Sequence, residues 1–282
     1  MKKKADAPAP PPYPLKYPLL LVQGMGYRDE KKPGYWGRIP KKLKKLGCKI
    51  YYGGQDSSAS VESNGRMLKE RIEEILKETG APRVNIIAHS KGGIDARYAI
   101  SSLGMGDKVA SLTTMSTPHN GSKSVDLLLK FPDFLVRTVG FFTDLWFKIL
   151  GDKEPDAYSV FHSFSTAGAR RFNEENPDDP RVYYQSYAFA MKNPLSDIFM
   201  WFTYTGVYLV EGENDGLLTP ANARHTNFKG AFRGARNRGI SHCDQVDLRR
   251  FRLTGKKGRE HEVSDIFEVY EDAVREIFNR GF

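Results

Sequence analysis

The sequence is poor in cysteine, with two in 282 residues: Cys48 in a strand-like run and Cys243 in a late loop. A disulfide scaffold is therefore not expected. No apolar stretch reaches the roughly eighteen residues that a membrane-spanning helix needs. The 40% of apolar residues still suffices for a sizeable core. Acidic charge is in deficit, because 34 Asp and Glu against 43 Lys and Arg leave a net charge of +9, concentrated in residues 41–49 and 229–259. Anionic surfaces should attract such a chain. No recognition motif or interleaved aromatic ladder accompanies those charges, so a solvated basic face is expected and nucleic-acid binding is not. Internal repeats are absent, and so is an export signal, since residues 5–12 are proline-rich where an apolar segment would be needed. A cytoplasmic location is the resulting expectation.

Short apolar runs at residues 17–22, 49–52, 84–88 and 109–115 read as buried strands, with Gly24 and Gly26 closing the first and Gly53 and Gly54 the second. Between the second and third, Leu68, Ile72, Ile75 and Leu76 keep helical spacing until Gly80 and Pro82 stop it. Residues 92–102 read as a further helix. Strands alternating with helices predict a mostly parallel sheet of about six strands, covered on both faces. After Pro118 the alternation breaks: residues 125–151 are rich in Leu, Phe and Trp, and a polar segment follows instead of a strand. Strand character resumes at residues 181–188 and 206–210. Residues 264–280 form a closing helix, with Ser264 as N-cap and Ile266, Val269, Ala273 and Ile277 on one face.

The chemistry is concentrated in Ala88-His89-Ser90-Lys91-Gly92-Gly93, where the third strand should give way to a helix. Such a turn is so tight that only small residues fit two places before and two after the serine, and Ala88 and Gly92 stand there. That is the arrangement of a nucleophile elbow in an α/β hydrolase. It lifts the Ser90 hydroxyl above the sheet and aims the amide of Lys91 at a developing oxyanion. A serine between small residues can also merely cap a helix, so the partners matter.

The second oxyanion donor should come from the loop after the first strand, where Gln23-Gly24-Met25-Gly26 lies, and the backbone amide of Met25 is assigned to it. A dinucleotide-binding reading of the same glycines fails because Asp29 takes the place of the third. The acid should follow the serine and precede the histidine. Asp215, in Glu211-Gly212-Glu213-Asn214-Asp215-Gly216, is the choice, with Glu213 its nearest rival; Asn-Asp-Gly is also ordinary turn chemistry. His119 and His162 come before the acid. Of the three histidines after it, His225 on a probable helix and His261 in a polar lead-in read as surface residues, which leaves His242 as the base.

With these residues in place, the sequence resembles bacterial triacylglycerol lipases and esterases, especially clostridial lipase-like hydrolases related to thermophilic Bacillus-type lipases. The segments that carry the resemblance are residues 17–29, 35–38, 85–98, 116–122, 183–187, 214–217 and 241–244. Two departures stand out. Gln23 takes the place of the usual histidine before the glycine, and the zinc-binding spacing of the thermophilic lipases is missing between residues 51 and 63, so no zinc, and no cofactor, is expected. Many relatives hold a structural calcium through an acid two residues after the histidine; Asp244 stands there, without further ligands identifiable.

Residues 1–16 read as a proline-rich arm and residues 17–282 as the catalytic domain, with a lid-like insertion at about 123–180. Aromatic clusters at Phe131 and Phe134, Phe141 and Phe142, and Trp146 and Phe147 suit either a lid or permanent core helices. The expected activity is hydrolysis of carboxylic esters with a hydrophobic acyl or aryl part through an acyl-serine, on a small-molecule or lipid ester and with polyesters as further substrates; a lipid or polymer surface is the expected partner. The same residues would also serve thioester cleavage or acyl transfer. Outside catalysis, a basic lipid-surface binding protein could keep this scaffold.

Overall fold

The computed structural model of the chain describes residues 10–26, 29, 34–234, 238–249, 253 and 260–282. Parts of the basic stretch at 229–259, of the arm at 1–16 and of the family-like segment at 17–29 thus lie outside the described residues.

The strands are β1 (Leu19–Val22), β2 (Ile50–Tyr52), β3 (Val84–His89), β4 (Val109–Met115), β5 (Tyr183–Phe189), β6 (Phe228–Gly234) and β7 (Glu262–Val263). They form a seven-stranded sheet in the order β2-β1-β3-β4-β5-β6-β7, and each neighbouring pair is parallel. Leu21 pairs with Ile87, Ile87 with Thr113 and Thr113 with Gln185, so the central strands stay closely in register. The helices are α1 (Ile39–Leu46), α2 (Val61–Thr79), α3 (Lys91–Ser101), α4 (Lys123–Leu128), α5 (Asp133–Leu150), α6 (Ala157–Ser163), α7 (Thr166–Glu175), α8 (Trp201–Glu211), α9 (Pro220–Ala223) and α10 (Phe267–Asn279).

Side chains alternate across a strand, and β1 shows what that does in a sheet covered on both faces. Leu19 and Leu21 join Ile39 and Leu43 of α1 and Val269 and Ala273 of α10 in one core. Leu20 and Val22 join Leu68 and Ile72 of α2 and Ala96 and Ile100 of α3 in the other. Continuous apolar runs are the consequence. Truncating Leu21 to alanine would leave a cavity costing about 2–5 kcal/mol. Local signals fix the ends of these elements: the Ser60 hydroxyl caps α2 by accepting from the Ser63 amide, and Gly47, left-handed at φ 103°, closes α1. The described part of the arm is held down, with Tyr13 N–H donating to Leu46 O and Lys16 N–H to Phe282 O, both at 2.9 Å.

The structure corrects four expectations. Residues 206–210 are helical, within α8, because a short apolar run reads alike for a strand and for one side of a helix. Instead of that one strand the sheet ends in two, β6 and β7, whose apolar signal is weak: the first is split by Gly230 and the second has two residues. The closing helix begins at Phe267, not Ser264; Ser264 donates through both its amide and its hydroxyl to the Glu268 carboxylate, which folds back over the helix start. His225 lies beyond the end of α9, not on a helix.

Candidate active site

β3 ends at His89 and α3 begins at Lys91, which leaves Ser90 alone in the turn with φ 53° and ψ −129°. A positive φ on a side-chain-bearing residue is strained and persists only where the surroundings enforce it. They do so here. A Cβ on Gly92 would stand 2.3 Å from Gln23 O and 2.7 Å from Val22 O, and one on Gly24 would stand 2.7 Å from the Ser90 Cβ. The loop after β1 and the elbow after β3 therefore touch backbone to backbone, which needs glycine on both sides. Ser90 N–H donates to Met115 O at 2.9 Å, and the Thr117 hydroxyl donates to Ser90 O at 2.8 Å.

Asp215 and His242 meet. The His242 Nδ1–H donates to Asp215 Oδ2 at 2.8 Å, and the His242 ring centroid is 4.5 Å from that of His89, next to Ser90 in the chain. His242 N–H also donates to Asp215 O at 2.7 Å, so the two loops are joined through backbone as well. Asp215 is fully buried. Burial alone would raise its pKa, but the His242 charge and hydrogen bond, the Leu218 amide and the Gln245 side chain hold it down at about 2. Its other oxygen, Oδ1, accepts from the amides of Leu217 at 3.0 Å and Leu218 at 2.9 Å. The acid follows α8 instead of a strand, yet Met191 N–H donating to Asn214 O at 2.8 Å returns it to the end of β5.

The rivals are engaged elsewhere. Glu213 is exposed and pairs with Arg233. His225 binds Asp178 at 2.9 Å through Nε2 and stacks on His119, and His261 Nε2–H donates to Lys229 O at 2.8 Å.

Met25 N–H has no partner among the described residues, and Lys91 N–H, as the first of its helix, has no carbonyl one turn back to bond within it. The Lys91 side chain turns inward instead, reaching Asp95 Oδ1 at 2.7 Å and Oδ2 at 2.9 Å, while the Asn64 amide donates to Oδ2 at 2.9 Å. Burial pushes the Asp95 carboxyl up to about 6 despite that lysine.

Asp244 faces cationic side chains and a serine. Arg249 Nη2 lies 3.2 Å from Asp197 and also binds Asp244, Arg238 lies 3.7 Å from Asp244, and the Ser241 hydroxyl donates to Asp197 Oδ2 at 2.6 Å. Burial raises Asp244 to about 6. Among the described residues, no group of three or more His, Cys, Asp or Glu is arranged to hold a metal ion. Sequence reasoning missed Tyr35, Gln245 and the side chain of His89, all buried around Asp215 and Ser90. Only the family-like segment at 35–38 and the elbow motif pointed toward two of them.

The family described as alpha/beta hydrolase fold matches residues 19–222, and the chain belongs to it. The matched span holds Ser90 and Asp215. A triacylglycerol lipase of Pseudarthrobacter phenanthrenivorans is 30% identical over 175 residues, covering 57% of this chain and 54% of that protein. Triacylglycerol lipase 2 of Saccharomyces cerevisiae is 26% identical over 262 residues, covering 88% and 74%. Among solved structures, the mature form of Bacillus licheniformis lipase BlEst2 superposes with a TM-score of 0.65 at 20% identity, over 96% of this chain and 95% of that one, a likeness of fold. The chain spans about half the length of the bacterial curated relatives it matches.

Proposed function

We propose that the chain is a serine carboxylic ester hydrolase, with Ser90 as nucleophile, His242 as base and Asp215 as the acid that orients it. The observation that carries this reading is the 2.8 Å bond from His242 to a fully buried Asp215, beside the left-handed serine of a strand-to-helix elbow. With Nδ1–H committed to Asp215, Nε2 of His242 carries the lone pair that takes the Ser90 proton. Ser90 Oγ attacks the ester carbonyl, and the oxyanion accepts from the amides of Met25 and Lys91. Collapse expels the alcohol, which takes the proton from His242, and water then hydrolyses the acyl-serine by the same route in reverse.

A hydrophobic ester suits the surroundings. Phe134, Phe141, Phe142 and Trp146 of α5, with Phe199 just before α8 and Phe202 within it, are between 60% and 81% exposed. Large apolar side chains exposed in this number mark a surface that meets lipid or another apolar partner. α4 packs against α8, so the two excursions from the sheet lie together, and they support a lid-like cover for an acyl or aryl group and contact with a lipid or polymer surface. The test compares hydrolysis of p-nitrophenyl esters of graded acyl length by the intact chain and by Ser90→Ala, together with fluorophosphonate labelling located by mass spectrometry. Activity confined to the intact chain, with the label on Ser90, is the expected result. Inactivity on every length, or full rate in Ser90→Ala, would sink the proposal.

A further inference from the structure

Between the buried acid and the loop after β1 runs an unbroken line of hydrogen bonds. Gln245 Nε2 donates to Asp215 Oδ2 at 2.6 Å, the oxygen that also accepts from His242. Gln245 Oε1 faces His89 Nε2 at 3.0 Å, His89 Nδ1 faces the Tyr35 hydroxyl at 2.7 Å, and that hydroxyl accepts from the Gly24 amide at 3.0 Å. Tyr35, His89, Gln245 and Asp215 are all buried.

The direction of every bond follows from one end. An ionised carboxylate only accepts, so Gln245 must turn its NH2 group to Asp215 and its oxygen to His89. His89 must then carry its proton on Nε2 and accept at Nδ1. The acceptor at Nδ1 needs the Tyr35 O–H, which leaves the phenol oxygen free to receive Gly24 N–H. A second proton on His89 would strip the Tyr35 hydroxyl of its acceptor and set a cation against the His242 ring. Burial, and the nearby His242, keep His89 neutral by pulling its pKa well below 6.5.

The geometry points to Gln245, His89 and Tyr35 as positioning residues that couple the triad acid to the oxyanion loop. This rests on the ester-hydrolase reading for the roles of Asp215, His242 and Met25. Gln245 and His242 share Asp215 Oδ2, so the glutamine fixes the lone pair left for the imidazole and hence the tilt of the ring. At the far end, Tyr35 engages the Gly24 amide and orients the peptide that precedes Met25. Gly24 N–H is thereby committed to structure, and the Met25 amide is the one left to face a substrate.

Two readouts decide the inference. In protein labelled with 15N-histidine, nitrogen shifts should show His89 as the neutral Nε2–H tautomer from about pH 5 to about pH 9. Gln245→Met should lose that single tautomer. In ester hydrolysis, Gln245→Met and Tyr35→Phe should each lower kcat by about 10–100-fold with KM within about 2-fold, as loss of a group that orients a reacting residue does. Melting curves identify any variant that has simply unfolded, in which case Gln245→Asn replaces Gln245→Met. His89 found doubly protonated or as the Nδ1–H tautomer overturns the relay, and so do variants that keep wild-type kcat or lose only KM. A wild-type chain that ignores every ester sinks the reading of the preceding subsection alone; the tautomer of His89 then still decides whether the relay exists.

Discussion

The molecule holds two pairs of touching histidine rings, and in each pair one member binds an aspartate. His89 and His242 are 4.5 Å apart, with His242 on Asp215; His119 and His225 are 4.2 Å apart, with His225 on Asp178. Burial and the neighbouring ring lower the pKa of His89 and of His119 well below 6.5, so one imidazole of each pair is held neutral. The surroundings differ. Asp215 is wholly buried and collects two backbone amides, a glutamine and an imidazole, whereas the Asp178 side chain is 25% exposed, with Arg97 at 3.6 Å and the Thr226 hydroxyl at 2.6 Å. An imidazole–carboxylate bond therefore marks no active site by itself. What separates the pairs is the strained serine beside one of them and the full set of donors that holds its acid in a single orientation.

The sharpest way to break this contrast is to neutralise the two acids in parallel. Asp215→Asn should lower kcat for a p-nitrophenyl ester by about 10⁴-fold by upsetting the imidazole tautomer, and Asp178→Asn should leave it within about 2-fold. Equal losses would show that the pairs are not functionally distinct. Comparable in size, His242→Ala should also lower turnover by about 10⁴-fold. His225→Ala should retain it while losing about 1–2 kcal/mol of stability in urea unfolding, through the lost hydrogen bond and stacking. Acid titration separates the carboxylates by sign. Asp215 sits at about 2 in the folded chain against an ordinary 3.8, so the folded state binds fewer protons. It contributes about 2 kcal/mol of stability above that ordinary value, lost as pH falls through the folded one. Asp95 and Asp244, raised to about 6, act in the opposite sense, and their contribution is lost as pH rises from 3.8 through that value. Unfolding midpoints measured from about pH 2 to about pH 7 should show both limbs, with the acid limb flattened in Asp215→Asn. The smallest effect belongs to Glu213→Gln, which breaks an exposed pair with Arg233 and should change stability by less than about 1 kcal/mol and kcat not at all. A large loss of kcat there would move the role of acid to Glu213.

β1, β3 and β4 were legible because each is buried on both faces and so reads as a largely apolar run, and the half-buried β2 because two glycines close its short apolar run. The elbow was legible because steric limits at residues 88 and 92 leave a mark in the sequence. Beyond β5 both signals fade. Tyr208, Leu209 and Val210 look like a strand and are an exposed side of α8, and β6, with Gly230 at φ 108°, looks like a loop. Asp215 and His242 were chosen from chain order and turn chemistry, and the structure brings the two together even though the element before Asp215 was misread. Gln245 could not, because a glutamine in a polar loop has no pattern of its own; its position 30 residues from Asp215 in the chain becomes contact only after folding.

One backbone hydrogen bond shapes what could change in this protein over time. Met191 and Asn214 are joined directly, and the Asn214 side chain steadies the turn that follows by accepting from Gly216 N–H. Between them, Asp197 accepts from the Ser241 hydroxyl and pairs with Arg249, and Glu211 accepts from Ser122 and Ser124, so the ends of the excursion are anchored as well. The exposed positions between these anchors, Phe202, Tyr208 and Leu209 among them, can change while the neck keeps Asp215 in register with β5. On the ester-hydrolase proposal, the surface around the site can thus vary at little cost to Ser90, His242 and Asp215. Exchanging the exposed side chains between residues 198 and 210 is then the natural route to a different substrate preference.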